Sequence, residues 1–270
     1  MEQEGKETNV KATINAVTGL IQAIPVYQDV LQPAAKQVGV SLEVISKTVN
    51  IALAPVKALV WGYEKIEGFI TTRVSEKLKN VLEENIITPP LQVAGPAVEA
   101  LRYSGYDANL RELYANLLAN SMDRETVHKA HPGFVEILKN LSSDEAVILK
   151  AFVHTLRFPL IDIKATIEDN SNYFNVLTNY SHLNKIVTIS SPDLISSYLD
   201  NLVRLGILEI PSLVYMVGEN IYEPLENDDD LHSTKEDIIN RLDRKVTFDR
   251  KQVRATTFGR QFIQNVVADK

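Results

Sequence analysis

The chain has 270 residues, 45% of them hydrophobic and 23% charged, with a formal net charge of −7 at pH 7 and no cysteine. That length allows one large or two modest domains with a substantial core. The absence of cysteine excludes disulfides, thiolate metal sites and cysteine nucleophiles, and the acidic balance weighs against nucleic acid as the main partner, because phosphate binding needs surplus cation.

Met1 to Lys11 is polar, with Glu2, Glu4 and Glu7 against Lys6 and Lys11. It lacks the charged-then-apolar order of a secretory signal, so a cytoplasmic location is expected. Val10 to Leu31, broken at Pro25 and closed by Pro33, reads as a helix and a half of modest amphipathicity in an N-terminal helical segment over residues 1–40. The chain then turns strongly apolar from Val38 to Ile70, centred on Val49 to Tyr63. A membrane span needs roughly 20 apolar residues. This run is shorter, holds Pro55 and is interrupted by Asn50 and Lys57, so helices buried in protein are expected. The alternative is an amphipathic segment that meets a membrane on activation, with Trp61 and Tyr63 at the interface. Lys65 to Glu84 continues as a longer, more charged helix, and the Thr88-Pro89-Pro90 break with the Gly95-Pro96 step separates it from the central part of the chain.

Three consecutive helices come next. Asp107 is a natural N-cap, because its carboxylate can accept the free N–H groups of a first turn. Leu110, Leu113, Tyr114, Leu117 and Leu118 recur at intervals of three and four and make one apolar stripe, while Arg111, Glu112, Asn116 and Asn120 fill the opposite face. His131-Pro132 marks the second start, since proline suits a first helical turn, and Phe134, Ile137, Leu138 and Leu141 form its stripe. Ser142 to Glu145 has capping-box spacing and opens the third helix.

No element is assigned between that helix and Ser191-Pro192, which opens another with Pro at its first position. Leu194, Ile195, Tyr198, Leu199, Leu202 and Val203 face inward, and Gly206 ends it as a left-handed cap. Strand-like pieces follow at Ile207 to Ile210, Val214 to Val217, Ile221 to Leu225, Lys245 to Phe248 and Gln252 to Thr256. Ser233 to Glu236 has capping-box spacing for a short helix, and Thr257 to Val267 closes the chain as a helix. The order, with the Leu-Val-Arg-Leu-Gly-Ile-Leu run, is that of a winged-helix module. Its candidate recognition helix exposes Ser196, Ser197, Asp200, Asn201 and Arg204, a poor cationic footprint for a major-groove reader. Arg241, Arg244, Lys245, Arg250, Lys251, Arg254 and Arg260, by contrast, face only Asp243 and Asp249. Upstream, Glu219, Glu223, Glu226, Asp228, Asp229 and Asp230 form an acidic run with no cation. Adjacent opposite blocks of this kind are usually intramolecular partners or a solvated face.

Catalytic constellations are thin. His128 and His131 lie three apart with Asp123 nearby, but two ligands do not define a metal site, and His131 is expected to cap or pack at a helix start. His154, His182 and His232 are isolated, and Asp162, Glu168 and Asp169 have no evident acid/base partner. No phosphate loop, nucleophile elbow or dinucleotide fingerprint occurs.

The succession ALAPVKALVWGYEKI, LQVAGPAVEALRYSG, LRELYANLLANSMD, HPGFVEILKNLSSDEAVIL, LDNLVRLGIL and TTFGRQFI resembles the Abi-alpha family, named for abortive infection, over roughly Ser41 to Val267. The resemblance implies a bacterial protein with a part in defence against phage and brings no catalytic residues with it. The expected molecule is mostly α. A helical body over 41–141 follows the N-terminal segment, and a small α+β winged-helix-like domain occupies 142–270. The expected function is a non-enzymatic component of an abortive-infection system without cofactor or metal. It would act through a protein partner or a homo-oligomer, with a phage-derived trigger and membrane contact through Val49 to Tyr63. Arg241, Arg244, Lys245, Arg250, Lys251 and Arg254 are its candidate interaction surface. A winged-helix nucleic-acid-binding regulator is the alternative, and an enzyme with an unrecognised site the third reading.

Overall fold

Local signals set the helices of the first half, and packing decides which of their faces are buried. The structure is a computed structural model whose described residues are 46–51, 64–167 and 172–270. The expected elements of residues 1–40, and most of the Val49 to Tyr63 run, lie outside them. Helix α1 (Glu64–Leu78) is followed by a short 3-10 turn, and Pro90 then sits at the N-cap of α2 (Leu91–Ser104). The expected break at Gly95-Pro96 is absent, and Pro96 lies inside α2. A proline there forfeits one backbone bond. Buried Val93, Ala94, Ala97 and Val98 on either side hold the helix through it.

Helix α3 (Ala108–Ser121) is capped by Asp107, whose carboxylate accepts from the N–H groups of Asn109 and Leu110. Every residue from Leu113 to Ser121 is buried, because α3 is enclosed by α1, α2, α4 (Gly133–Lys139), α5 (Ser143–Ala151) and the last helix of the chain. The expected polar outer face is therefore corrected at Asn116 and Asn120, which are buried. The final turns of a helix leave carbonyls without partners. The Asn116 side-chain amide donates to the Val266 carbonyl at 2.9 Å and that of Asn120 to the Asn265 carbonyl at 2.8 Å. The Ser142–Glu145 capping box opens α5 with both of its hydrogen bonds present.

Two long strands occupy the stretch between α5 and Ser191-Pro192, where the sequence pattern assigns no element. They are β1 (Arg157–Thr166) and β2 (Tyr173–Tyr180), paired antiparallel with two register shifts. A short α6 (Leu183–Ile186) leads to α7 (Ile195–Arg204), which ends at Gly206 with φ +73°, and then to β3 (Leu208–Glu209). The expected strands at 214–217 and 221–225 are not formed. Residues 214–217 are irregular, and Glu223–Glu226 is a helical turn, α8. A helix α9 (His232–Glu236) runs into a π-turn, and its Ser233 makes no cap. The two expected strands over 245–256 are one, β4 (Lys245–Ala255), before the closing α10 (Thr257–Phe262) and its π-type continuation to Val267.

The sheet has order β2-β1-β4-β3 and is antiparallel throughout. Alternation along β1 sends its residues to two different places. Leu160 joins the main core, which runs from Val49 through α3 to Val267, while Ile161, Ile163 and Ala165 join a second, smaller core with Tyr222, Leu225, Leu231 and Ile238. The segment between β3 and β4 thus covers one face of the outer half of the sheet. The other face there carries Asp162 and Lys164.

Candidate interaction surface

Register dictates what the basic strand does. Asp162 on β1 stands directly opposite Asp249 on β4. Two like charges so placed repel. Lysines at the diagonal positions answer both, since Lys251 reaches Asp162 at 2.9 Å and Lys164 reaches Asp249 at 2.9 Å. Lys251 also donates to the Asn179 side-chain oxygen at 2.7 Å. Asn179 in turn has φ +56°, a left-handed conformation that asparagine tolerates, and this turns its backbone N–H onto Asp162 at 2.8 Å. A buried carboxylate, an ammonium and an amide therefore pin three strands together.

The remaining expected surface residues are also largely engaged. Arg250 makes a forked bond to Glu226 at 2.6 and 2.9 Å and lies over the Tyr222 ring, with the guanidinium carbon 5.4 Å from the ring centre. Glu226 is the one member of the acidic run that this strand recruits. Arg254 pairs with Glu209 at 2.8 Å and Arg241 with Asp237 at 3.1 Å. Lys245 has a contact of its own, and Arg244 meets no carboxylate among the described residues.

A second polar cluster closes the same end of the molecule. Asp228, from the acidic run, has a side chain only 6% exposed that accepts from the Tyr180 hydroxyl at 2.8 Å, from Lys185 at 2.6 Å and from His182. Burial alone would raise its carboxyl, but the bonds from Lys185, Tyr180, the Asp230 N–H and His182 outweigh it and hold Asp228 far below the usual carboxylate range. Burial, reinforced by Asp228, pushes the Tyr180 hydroxyl up. The cluster is a carboxylate saturated by donors, which fastens the β3–β4 segment to β2 and α6.

The predicted recognition face of α7 is partly occupied. Ser196 donates to the Thr178 carbonyl at 2.9 Å, Asp200 accepts from Asn179 at 3.2 Å, and Asn201 donates to Glu145 at 2.6 Å. Ser197 and Arg204 are exposed. Tyr198 and the N–H groups of Ser190 and Ser191 bind Asp144, which locks the start of α7 to α5.

The histidines and carboxylates weighed as ligands do not converge. His131 accepts from the Gly133 N–H through Nδ1 at 3.0 Å and packs against Phe134 and Phe258. Asp123 is bonded by Lys270 at 2.7 Å. Among the described residues, no group of three or more His, Asp or Glu is arranged to hold a metal ion. Two clefts flank the end of α2. One, of about 350 Å³, includes Phe69, Leu101, Arg102, Tyr106 and Arg111, and the other, of about 460 Å³, includes Glu99, Tyr103, Asp107 and Tyr114. Sequence reasoning missed both, because each is assembled from separate helices. The buried Tyr114 hydroxyl in the second cleft is raised to about 12 by desolvation that the nearby Ser104 only partly offsets, so it stays protonated at neutral pH.

Comparison with known proteins gives one strong result. The family model described as abortive infection alpha matches residues 62–266. No curated protein matches the chain. A solved structure of an uncharacterized protein from the hydrocarbon-degrading marine bacterium Alcanivorax borkumensis SK2 is similar at 22% identity and a TM-score of 0.35, covering 50% of this chain and 93% of that one.

Proposed function

The chain belongs to the abortive infection alpha family, and from that premise we propose that it is a non-enzymatic component of a bacterial anti-phage system that works through protein contacts in the cytoplasm. The family match supplies the process. The observation that carries the mode of action is the state of β4, where Arg250, Lys251 and Arg254 are each paired with a carboxylate of the same chain. Nucleic-acid binding through these three residues would have to compete with those pairs for each phosphate contact. The partner is then a protein or a second copy, engaged after a phage-derived trigger.

In this reading, residues 142–270 are a winged-helix-like unit set on a helical body over 41–141, with 1–40 as a leading segment. The support for it is that α7 runs directly into β3, and that β3, β4 and β1 are neighbours in that order. The strand β2 would be an addition at the edge, and residues 210–244 would stand where a wing normally lies. Membrane contact through Val49 to Tyr63 rests on the sequence alone, and among the described residues no helix is long and apolar enough to cross a membrane.

The test is cellular. Expression in a susceptible host, with the neighbouring genes included, should reduce phage plaquing, and infected cells should arrest or die before the burst. Unchanged plaquing over a broad phage panel would remove this reading.

A further inference from the structure

We infer that the cleft between α1, α2 and α3 is a binding site for a small organic anion with a flat apolar body, such as an aromatic carboxylate or a nucleotide. The inference does not depend on the abortive-infection reading. Several arginines on this acidic chain meet a carboxylate of another element, as Arg73 meets Glu112, Arg250 meets Glu226 and Arg254 meets Glu209. Arg102 and Arg111 share one cleft and meet none among the described residues. The Arg111 Nε is buried without a hydrogen-bond partner, and its guanidinium lies over the Phe69 ring, 5.3 Å from the centre. The guanidinium is thus held beside an aromatic ring with its Nε–H unpaired.

A planar guanidinium is matched to carboxylate or phosphate, which it grips with two parallel bonds. The rest of the cleft is apolar or aromatic. Leu101 and Phe69 are contributed by α2 and α1, and Tyr106 stands 87% exposed beside them, free to stack on a flat ligand. The volume of about 350 Å³ suits a ligand of one or two rings. Among the described residues, none that lines it is acidic. The neighbouring cleft carries Glu99 and Asp107 against Lys139 alone, which makes it the less favourable of the two for an anion.

Calorimetric titration of the full chain tests this with adenosine 5′-monophosphate and 1-naphthoate as anionic probes, and with adenosine and inorganic phosphate as controls that carry only the body or only the charge. At least one anionic probe should bind saturably and about tenfold or more tighter than either control. Substituting Arg102→Gln and Arg111→Gln together should weaken that binding by about tenfold or more, whereas Arg244→Gln should leave it unchanged. Binding of the nucleotide alone would assign the site to phosphates, and of the naphthoate alone to carboxylates; either outcome supports the inference. If the double variant fails to fold, Arg102→Gln alone, on the exposed last turn of α2, should shift the affinity in the same direction. Failure of both anionic probes to saturate at about 1 mM, equal binding of phosphate or adenosine, or undiminished binding by the folded arginine variants would each overturn it.

Discussion

The helical body and the outer half of the sheet bury residues of different kinds and are therefore held by different forces. Around α3 the packing is mainly apolar, with Leu113, Tyr114, Leu117, Leu118 and Met122 at 1% exposure or less, and ion pairs such as Arg73 with Glu112 and Lys270 with Asp123 lie beside that apolar core. The outer sheet has a core of seven buried residues among those described and fastens its other contacts with ions, through Asp162 with Lys251, Asp228 with Lys185 and His182, and Arg250 with Glu226. Hydrophobic burial hardly responds to salt and pH, whereas charge pairs respond to both. The body should thus be the stable frame and the outer sheet the part whose strength depends on solution conditions.

The sharpest way to break this contrast is to place a charge in the frame. Leu117→Asp should cost on the order of 4 kcal/mol or more, because the carboxylate has no partner there, and chemical denaturation reads it directly. Asn116→Asp should follow at on the order of 3 kcal/mol. It replaces the amide that donates to the Val266 carbonyl by an oxygen that repels it. A near-neutral result for Asn116→Asp would return that residue to the solvent face that periodicity gave it.

Lys251→Met should come next, at about 2 kcal/mol. The lysine is 21% exposed, which moderates the effect, but Asp162 is left buried without its cation. The effect of Asp228→Asn should be smaller, because the half-exposed Lys185 is already well solvated. Its pH dependence is the informative part. Folding lowers the Asp228 carboxyl, so the stability it contributes is fully present well above the unfolded value of about 4 and is lost as pH falls through and below that value. Urea titrations of the wild type and the variant should therefore differ by a constant amount from neutrality to about pH 5, with the gap closing as the acid range is entered. A gap that widened there would mean that the carboxylate is not the group held by the cluster.

What the sequence disclosed divides along the same line. The Asp107 cap, the Ser142–Glu145 box, the left-handed Gly206 and the break at Thr88 to Pro90 involve residues within four positions of one another, and each was readable locally. Asn116 and Asn120 were misread because their partners, Val266 and Asn265, lie about 150 residues away and on a different helix. The alternation of Ile161, Asp162, Ile163, Lys164 and Ala165 is a strand signal in retrospect. It is obscured because one face meets a small apolar core and the other a row of charges. Along β2 two register shifts break the alternation altogether. The basic run was legible as composition, and its adjacent acidic run suggested internal pairing. Of that run only Glu226 pairs with β4. Lys251 and Arg254 take Asp162 and Glu209, carboxylates 89 and 45 residues away in sequence, which only the register of the sheet could reveal.

The central claim is that Arg250, Lys251 and Arg254 of β4 are committed to the protein's own carboxylates. Titration of the full chain with duplex DNA across a salt series tests it most directly. The account predicts binding at physiological salt no tighter than the roughly 10⁻⁴ to 10⁻⁶ M of ordinary cationic patches, with a shallow dependence on salt. Sub-micromolar affinity at about 150 mM salt, with the logarithm of the constant falling by several units per decade of salt and that slope flattened by Arg250→Glu with Arg254→Glu, would contradict it.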